Sequence, residues 1–389
     1  MHNDNKTSTR PPIAARVATK AHFFISGLLF ASWGVHVPTV RKLYDLGEAQ
    51  LAWLMLAASL GAIIALTRVG NWVARHGARP VVVVGGLMIC LPLALLVHMP
   101  GYFSAMATLF VFGLATGAFD VAMNAEAVAV EDAYARPIMS SFHGFFSLGG
   151  MAGALIGSAV AAAGVAPAVH LALVAIGGFV CVWVAARYML PTEHTHSPEH
   201  ADTPFRLPRG LLLLLGMLAA FGLIGEGAMY DWSTLYMVRV LDSPAAVAAL
   251  AYGAFSAAMA AGRFGGDYVR ARLGSARTLR VSAWLAAISM VAALIIAQPW
   301  AALAGFALVG VGFSNIIPVL FSAAAKVPGV PAAQGIAAVS GAGYVGFMIG
   351  PPMIGFLAHG WGLGIGLIVV AVFAALVALF ARRAMATAA

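Results

Sequence analysis

The stretch Leu109–Val130, LFVFGLATGAFDVAMNAEAVAV, decides how the chain is read. A helix needs about 20 apolar residues to cross a bilayer, and this stretch meets that length with a carboxylate, Asp120, at its middle. An ionisable group at the bilayer centre costs roughly 2.5–3.5 kcal/mol on insertion scales unless it is paired, protonated or wetted. A neutral Asn would tie neighbouring helices together at a lower desolvation cost. An acid kept there therefore points to proton or substrate binding, with a hydrogen bond to a neighbouring helix as the alternative. Leu211–Trp232, LLLLLGMLAAFGLIGEGAMYDW, carries Glu226 in the same way.

The whole chain shares this character. Of its 389 residues, 62% are hydrophobic and 9% charged, with a mean hydropathy of +0.92. Soluble domains carry about 25% charged residues, and no soluble fold of this size hides so much apolar surface. The first apolar stretch, residues 21–40, is too long for a signal-peptide core and lacks an A-x-A cleavage site, so it reads as the first span. Cys90 and Cys181 lie inside apolar runs and give no disulfide framework.

Twelve spans are expected: 20–40, 48–68, 80–98, 104–127, 138–162, 166–188, 210–234, 246–265, 277–297, 301–323, 334–357 and 360–381. This predicts an all-α integral membrane protein in which two pseudo-symmetric six-helix bundles, 20–188 and 210–389, follow a tail at 1–19 and flank a linker at 189–209. The linker is polar and Pro-rich; its His194, His196 and His200 read as solvated residues rather than a metal site. With the N-terminus inside, nearly all Lys and Arg fall on the cytoplasmic side, leaving Arg41, Lys42 and Arg239 outside. That asymmetry places both termini on the cytoplasmic side of the membrane. It also explains the net charge of +8 without an anionic partner.

The halves repeat. GNWVARHGAR from Gly70 has its counterpart in GDYVRARLGSAR from Gly266. GAFD at Gly117–Asp120 matches GFSN at Gly312–Asn315, and GGMAG at Gly149–Gly153 echoes GFMIG at Gly346–Gly350. All three offsets are close to 196, and transporters built from repeats hold their substrate near the midplane where the repeats meet.

With twelve spans, a central linker and a Gly70, Arg75, Gly77, Arg79 loop after the second span, the chain resembles the major facilitator superfamily over essentially its whole length. The family loop reads G-x-x-x-D-R-x-G-R-R/K; here Ala74 replaces the acid and Ala78 the first of the paired bases. The segments around Asp120, EGAMYDWSTLYM, AGRFGGDYVRARLG and GYVGFMIGPPMIG resemble a bacterial group related to fucose permeases. The resemblance implies that spans 1, 4, 7 and 10 line a cavity. It also implies that an acid in span 4 with an Asn four residues on, here Asp120 and Asn124, lies in that cavity. The span-1 acid of the sugar–proton symporters in that branch has no counterpart, so sugar specificity does not transfer. The G-P pair that marks antiporters in span 5 is also missing, which favours symport or an unclassified exporter.

Proton coupling is expected at Asp120 and Glu226, and substrate contact at Trp33, Asn124, Tyr230 and Asn315, the last placed opposite its repeat-mate Asp120. His36 and His143 are candidate relays or packing residues. Gly70, Arg75, Gly77 and Arg79 form a cytoplasmic gate loop, with Arg75 and Glu131 as a gate pair. Glu126 is expected to pair with a nearby cytoplasmic Arg, and Arg263 with Asp267 within one helix. No P-loop, H-E-x-x-H or G-x-S-x-G occurs, which removes ATP-driven transport by this chain alone and makes an enzyme a poor reading. The expected function is secondary transport, with drug or metabolite efflux or a non-transporting sensor as alternatives. No cofactor or nucleic acid is expected, only the proton gradient, a small-molecule substrate and the bilayer, with the chain acting as a monomer. Since spans 1, 4, 7 and 10 bring acids but no Lys or Arg to mid-depth, a neutral or cationic substrate is expected.

Overall fold

A computed structural model describes residues 12–46, 48–196 and 208–386. Thirteen α-helices make up the described fold. The first half contains α1 (Ile13–Leu43), α2 (Glu48–His76), α3 (Ala78–Leu95), α4 (Tyr102–Tyr134), α5 (Met139–Ala162) and α6 (Pro167–Ala186). The second contains α7 (Gly210–Arg239), α8 (Ala245–Leu273), α9 (Ser275–Ile296), α10 (Pro299–Phe313), α11 (Ile316–Ala324), α12 (Ala332–Trp361) and α13 (Leu363–Met385). The tail up to residue 11 and linker residues 197–207, with His200, lie outside the described residues.

The expected tenth span is broken rather than continuous. Helices α10 and α11 form one crossing, Pro299–Ala324, interrupted at Ser314 and Asn315, where Asn315 adopts φ −105° and ψ −4°. Pro318 has no N–H for the Ser314 carbonyl, and its ring crowds that carbonyl. The Ser314 hydroxyl turns back to the Val311 carbonyl at 2.6 Å. With α10 and α11 counted once, eleven crossings among the described residues are long and apolar enough for a membrane. The twelfth, α8, has 29 residues but carries Arg263, Asp267, Arg270 and Arg272 in its second half. Helix α1 starts at Ile13, before the expected residue 20. Arg16 there stacks over the Tyr134 ring at 5.2 Å and Lys20 over Phe145 at 4.9 Å, which carries the helix past its apolar stretch.

The repeat is visible in the backbone. Left-handed residues recur at matched turns: Asp45 (φ 49°) and Asp242 (φ 45°), Gly77 (77°) and Gly274 (75°), Gly164 (71°) and Gly362 (88°). Packing is mirrored too. In the first bundle α1 packs on α5, α2 on α4 and α3 on α6; in the second α7 packs on α12, α8 on α10 and α9 on α13. Closest approach occurs at small residues, as expected where lipid leaves no hydrophobic drive between helices. Gly113 faces the Ala58 carbonyl, and its repeat-mate Gly310 faces the Phe255 carbonyl.

Helices α2, α4 and α5 of the first bundle meet α12, α8 and α11 of the second. The end where the linker leaves Met189 is called the linker end below.

A side chain at Gly310 would strike backbone, whereas Gly253 faces open space. Gly310→Val is therefore expected to cost about 3 kcal/mol and to lower the detergent-solubilised melting temperature by several degrees, with Gly253→Val near wild type. Equal melting temperatures would contradict this packing.

Candidate functional site

Asp120 sits partly buried on α4. One turn along, Asn124 donates from Nδ2 to the Asp120 carbonyl at 2.9 Å and to its Oδ1 at 3.2 Å, as i,i+4 spacing requires. From the other bundle, Ser340 of α12 donates to Oδ2 at 3.5 Å. Among the described residues no Lys, Arg or His forms an ion pair with Asp120. Asn315 does not face it. Its Oδ1 accepts the Ser140 hydroxyl at 2.9 Å, and its amide donates to Ser314 at 2.9 Å, because the helix break turns it towards α5.

Glu226 has the basic partner that the sequence reading lacked. Arg263 Nη2 lies 3.4 Å from both of its carboxylate oxygens, and Nη1 donates to Ser147 of α5 at 2.6 Å. Both groups are enclosed, with side-chain exposures of 6% and 13%. The expected span ends at 265, two residues after Arg263, yet α8 continues to Leu273. Ten further residues at 1.5 Å each put Arg263 about 15 Å inside that end. The expected Arg263–Asp267 pair is therefore replaced by contacts to two different partners, and the site contains a fixed positive charge.

Tyr230, one turn from Glu226, packs on the rings of Tyr252 and Phe255 at 5.1 Å each. Trp33 is 6% exposed within the core, which leaves no open face for stacking on a ligand. His36 Nε2 lies 2.8 Å from His170 Nδ1, a bond between α1 and α6 inside one bundle. His143 is held by the rings of Phe23 at 5.1 Å and Phe321 at 5.9 Å, and its buried Nε2 has no hydrogen-bond partner.

The bundles are clasped at the start of α5. A helix start leaves four N–H groups unsatisfied, and α5 has Ile138 at its N-cap, which supplies no side-chain acceptor. Glu131 accepts from the N–H groups of Ile138 and Met139, both at 2.8 Å. Asp267, from the opposite bundle, accepts from Ser140 at 2.8 Å and Ser141 at 2.9 Å. Arg270 then joins Glu131 at 3.2 Å and Ser322 at 3.0 Å. An exposed pair, Lys326–Asp132 at 3.0 Å, lies beside them.

Glu131 is thus taken by Arg270, not by Arg75. Glu126 accepts the Leu190 N–H at 2.7 Å instead of pairing directly with an arginine. Arg79 donates to the Met189 carbonyl at 2.7 Å, and Thr195 Oγ1 accepts from the Ala78 N–H at 2.9 Å, so these groups anchor the start of the linker. Gly77 lies against Thr192 with φ 77°. Gly70 packs on Gln334 of α12, whose amide donates to Asn71 Oδ1 at 2.9 Å. The clasp residues are far apart in sequence; Glu131 was expected at a gate but with Arg75 as its partner, and Asp267 was expected to pair with Arg263.

Twelve spans in two mirrored bundles, clasped at one end around ionisable groups at membrane depth, define a transporter of the alternating-bundle type. The chain belongs to the Major Facilitator Superfamily, whose family model matches residues 22–333. It is 35% identical over 356 residues to an uncharacterized MFS-type transporter of Yersinia pestis, covering 91% of this chain and 92% of that one. It is 33% identical over 363 residues to the membrane protein MosC of Rhizobium meliloti, covering 93% and 88%. Among solved structures it is similar to the transporter FucP in an outward conformation, with a TM-score of 0.80, 17% identity, and coverage of 96% and 99%. The proton:xylose symporter XylE follows with a TM-score of 0.77, 13% identity and 95% coverage of each chain.

Removing one partner of a buried ion pair costs roughly 3–5 kcal/mol. Arg270→Gln and Asp267→Asn are expected to open the linker end and raise maleimide labelling of a cysteine at Leu66, packed against Gly341, by at least about tenfold. Unchanged labelling would show that the clasp does not hold this state.

Proposed function

We propose that this transporter works by proton-coupled alternating access in a bacterial inner membrane, with both termini and the linker in the cytoplasm. The observation that carries the coupling is Asp120, an acid without an ion-pair partner among the described residues, bonded across the bundle boundary to Ser340. An uncompensated carboxylate at this depth is costly as the anion, so it takes a proton from one side and releases it when wetted from the other. The Lys and Arg distribution supports the orientation. In that orientation the α5 clasp closes the cytoplasmic end.

Glu226 has a different role from Asp120. Its charge is balanced by Arg263, which also reaches Ser147 of the other bundle. We assign this trio to positioning the bundles and the ligand. Its two charges cancel, so the site keeps one net negative charge when Asp120 is ionised and none when it is protonated. That balance favours a neutral or cationic small molecule, although the Arg263 cation removes the earlier reason for that choice. A dianion would meet Asp120 at low dielectric, where like charges repel strongly.

A thermal-shift screen of neutral sugars, polyols, amines and carboxylates selects a transported ligand. In proteoliposomes carrying it, Asp120→Asn should abolish accumulation driven by a pH gradient while sparing counterflow. Glu226→Gln should impair both, because it strands the Arg263 charge. Full gradient-driven accumulation by Asp120→Asn would refute coupling at this residue.

Isothermal titration of matched neutral and dianionic analogues tests selectivity. The neutral form is expected to bind at least about tenfold more tightly, a difference of about 1.4 kcal/mol. Tighter binding of the dianion would place Arg263, not Asp120, in control of recognition.

A further inference from the structure

A furrow of about 530 Å³ runs along the outer surface of the second bundle, away from the central site. Its lining includes Leu273, Arg277, Arg280, Trp284, Leu285 and Ile288. All but Leu273 belong to α9, which begins at Ser275 at the linker end. At 1.5 Å per residue, Arg277 and Arg280 lie about 3 and 8 Å from that helix start. Ile288 lies about 16 Å beyond Arg277 on the same measure. The hydrocarbon core is about 30 Å thick, so the furrow spans one leaflet, from headgroup depth to about the midplane.

Among the described residues the charges at its mouth have no internal answer. From residue 210 onward the chain has four acids, Glu226, Asp231, Asp242 and Asp267. Only Asp267 lies at the linker end, and it is occupied by the Ser140 and Ser141 N–H groups. Arg270 is held by Glu131 and Ser275. Neither Arg277 nor Arg280 has a carboxylate partner among the described residues. Below them the furrow is apolar, with Ile288 62% exposed, and Trp284 lies between the two zones. Trp is favoured at such interfacial depths.

We infer that this furrow is a binding site for an anionic phospholipid, its phosphate held by Arg277 and Arg280 and an acyl chain lying along Trp284 to Ile288. A soluble phosphate would satisfy the guanidinium groups but leave the apolar floor uncovered. A zwitterionic lipid would cover the floor but bring its own cation to the arginines. An anionic lipid answers both, as basic pockets between membrane helices do elsewhere.

The test uses the full-length protein, delipidated and placed in phosphatidylcholine nanodiscs. Brominated phosphatidylglycerol is titrated in and tryptophan quenching recorded, with brominated phosphatidylcholine as the reference. Quenching by the anionic lipid is expected at lower mole fraction, and Trp284→Phe should remove that selective part. Arg277→Gln with Arg280→Gln should weaken the preference about thirtyfold, the loss expected for two interfacial cations. The double Lys variant should retain it, which separates charge from a folding defect. Equal quenching by both lipids, or a preference that survives the Gln variants, would overturn the site. Abolition of the preference by millimolar glycerol 3-phosphate would show that the arginines serve a soluble phosphate and would overturn the lipid assignment.

Discussion

Four backbone N–H groups at the start of α5 hold this conformation together. These residues are buried, so no solvent reaches the groups, and the local sequence, with Ile138 at the cap, offers them nothing. Two carboxylates take two each: Glu131 from the same bundle and Asp267 from the other. A helix cap is usually a local matter. Here it is divided between the bundles, so separating them exposes half of a helix terminus as well as the Arg270–Glu131 pair. The bundle boundary is thereby stabilised by charge-assisted bonds, which are shorter and stronger than neutral ones.

The two repeats do not share this burden equally. Asn71 and Asp267 follow equivalent glycines, Gly70 and Gly266. Asn71 meets the Gln334 amide near the start of α12, where both partners are neutral. Asp267 meets a bare helix terminus. A neutral amide pair costs little to rehydrate, while a carboxylate on two N–H groups is held by charge and by the helix dipole. The loop after α2 has lost its acid at Ala74, and its remaining bases include Arg79, which holds the linker at Met189 rather than the facing bundle. The pseudo-symmetry of the fold is thus kept in the backbone and broken in the electrostatics.

The span count, the repeat and the Asp120–Asn124 pair were legible because each rests on local pattern: hydropathy, offset and i,i+4 spacing. Arg263 was misplaced because the hydropathy reading ends the span at 265, where charged residues begin to recur, whereas α8 runs on to Leu273 and a long arginine inside it is tolerated once Glu226 faces it. The break at Asn315 had a visible signal in Pro318, outweighed by the apolar run around it. The clasp was not legible. Asp267 and Ser140 are 127 residues apart, and no periodicity connects a helix terminus to the acid that caps it.

The central acids differ in what surrounds them, and that difference divides their work. Glu226 has its counter-charge in Arg263, so protonating it would strand a buried guanidinium, and the pair is best kept intact through a cycle. Asp120 strands no cation when it is protonated. Its bond to Ser340 also spans α4 and α12, one helix from each bundle. Ser340 lies in a helix that holds Pro351 and Pro352 further along, where the Phe347 and Met348 carbonyls lose their usual N–H partners and the helix can bend. A change of charge on Asp120 is therefore felt directly at the boundary that must open and close, through a helix that can bend.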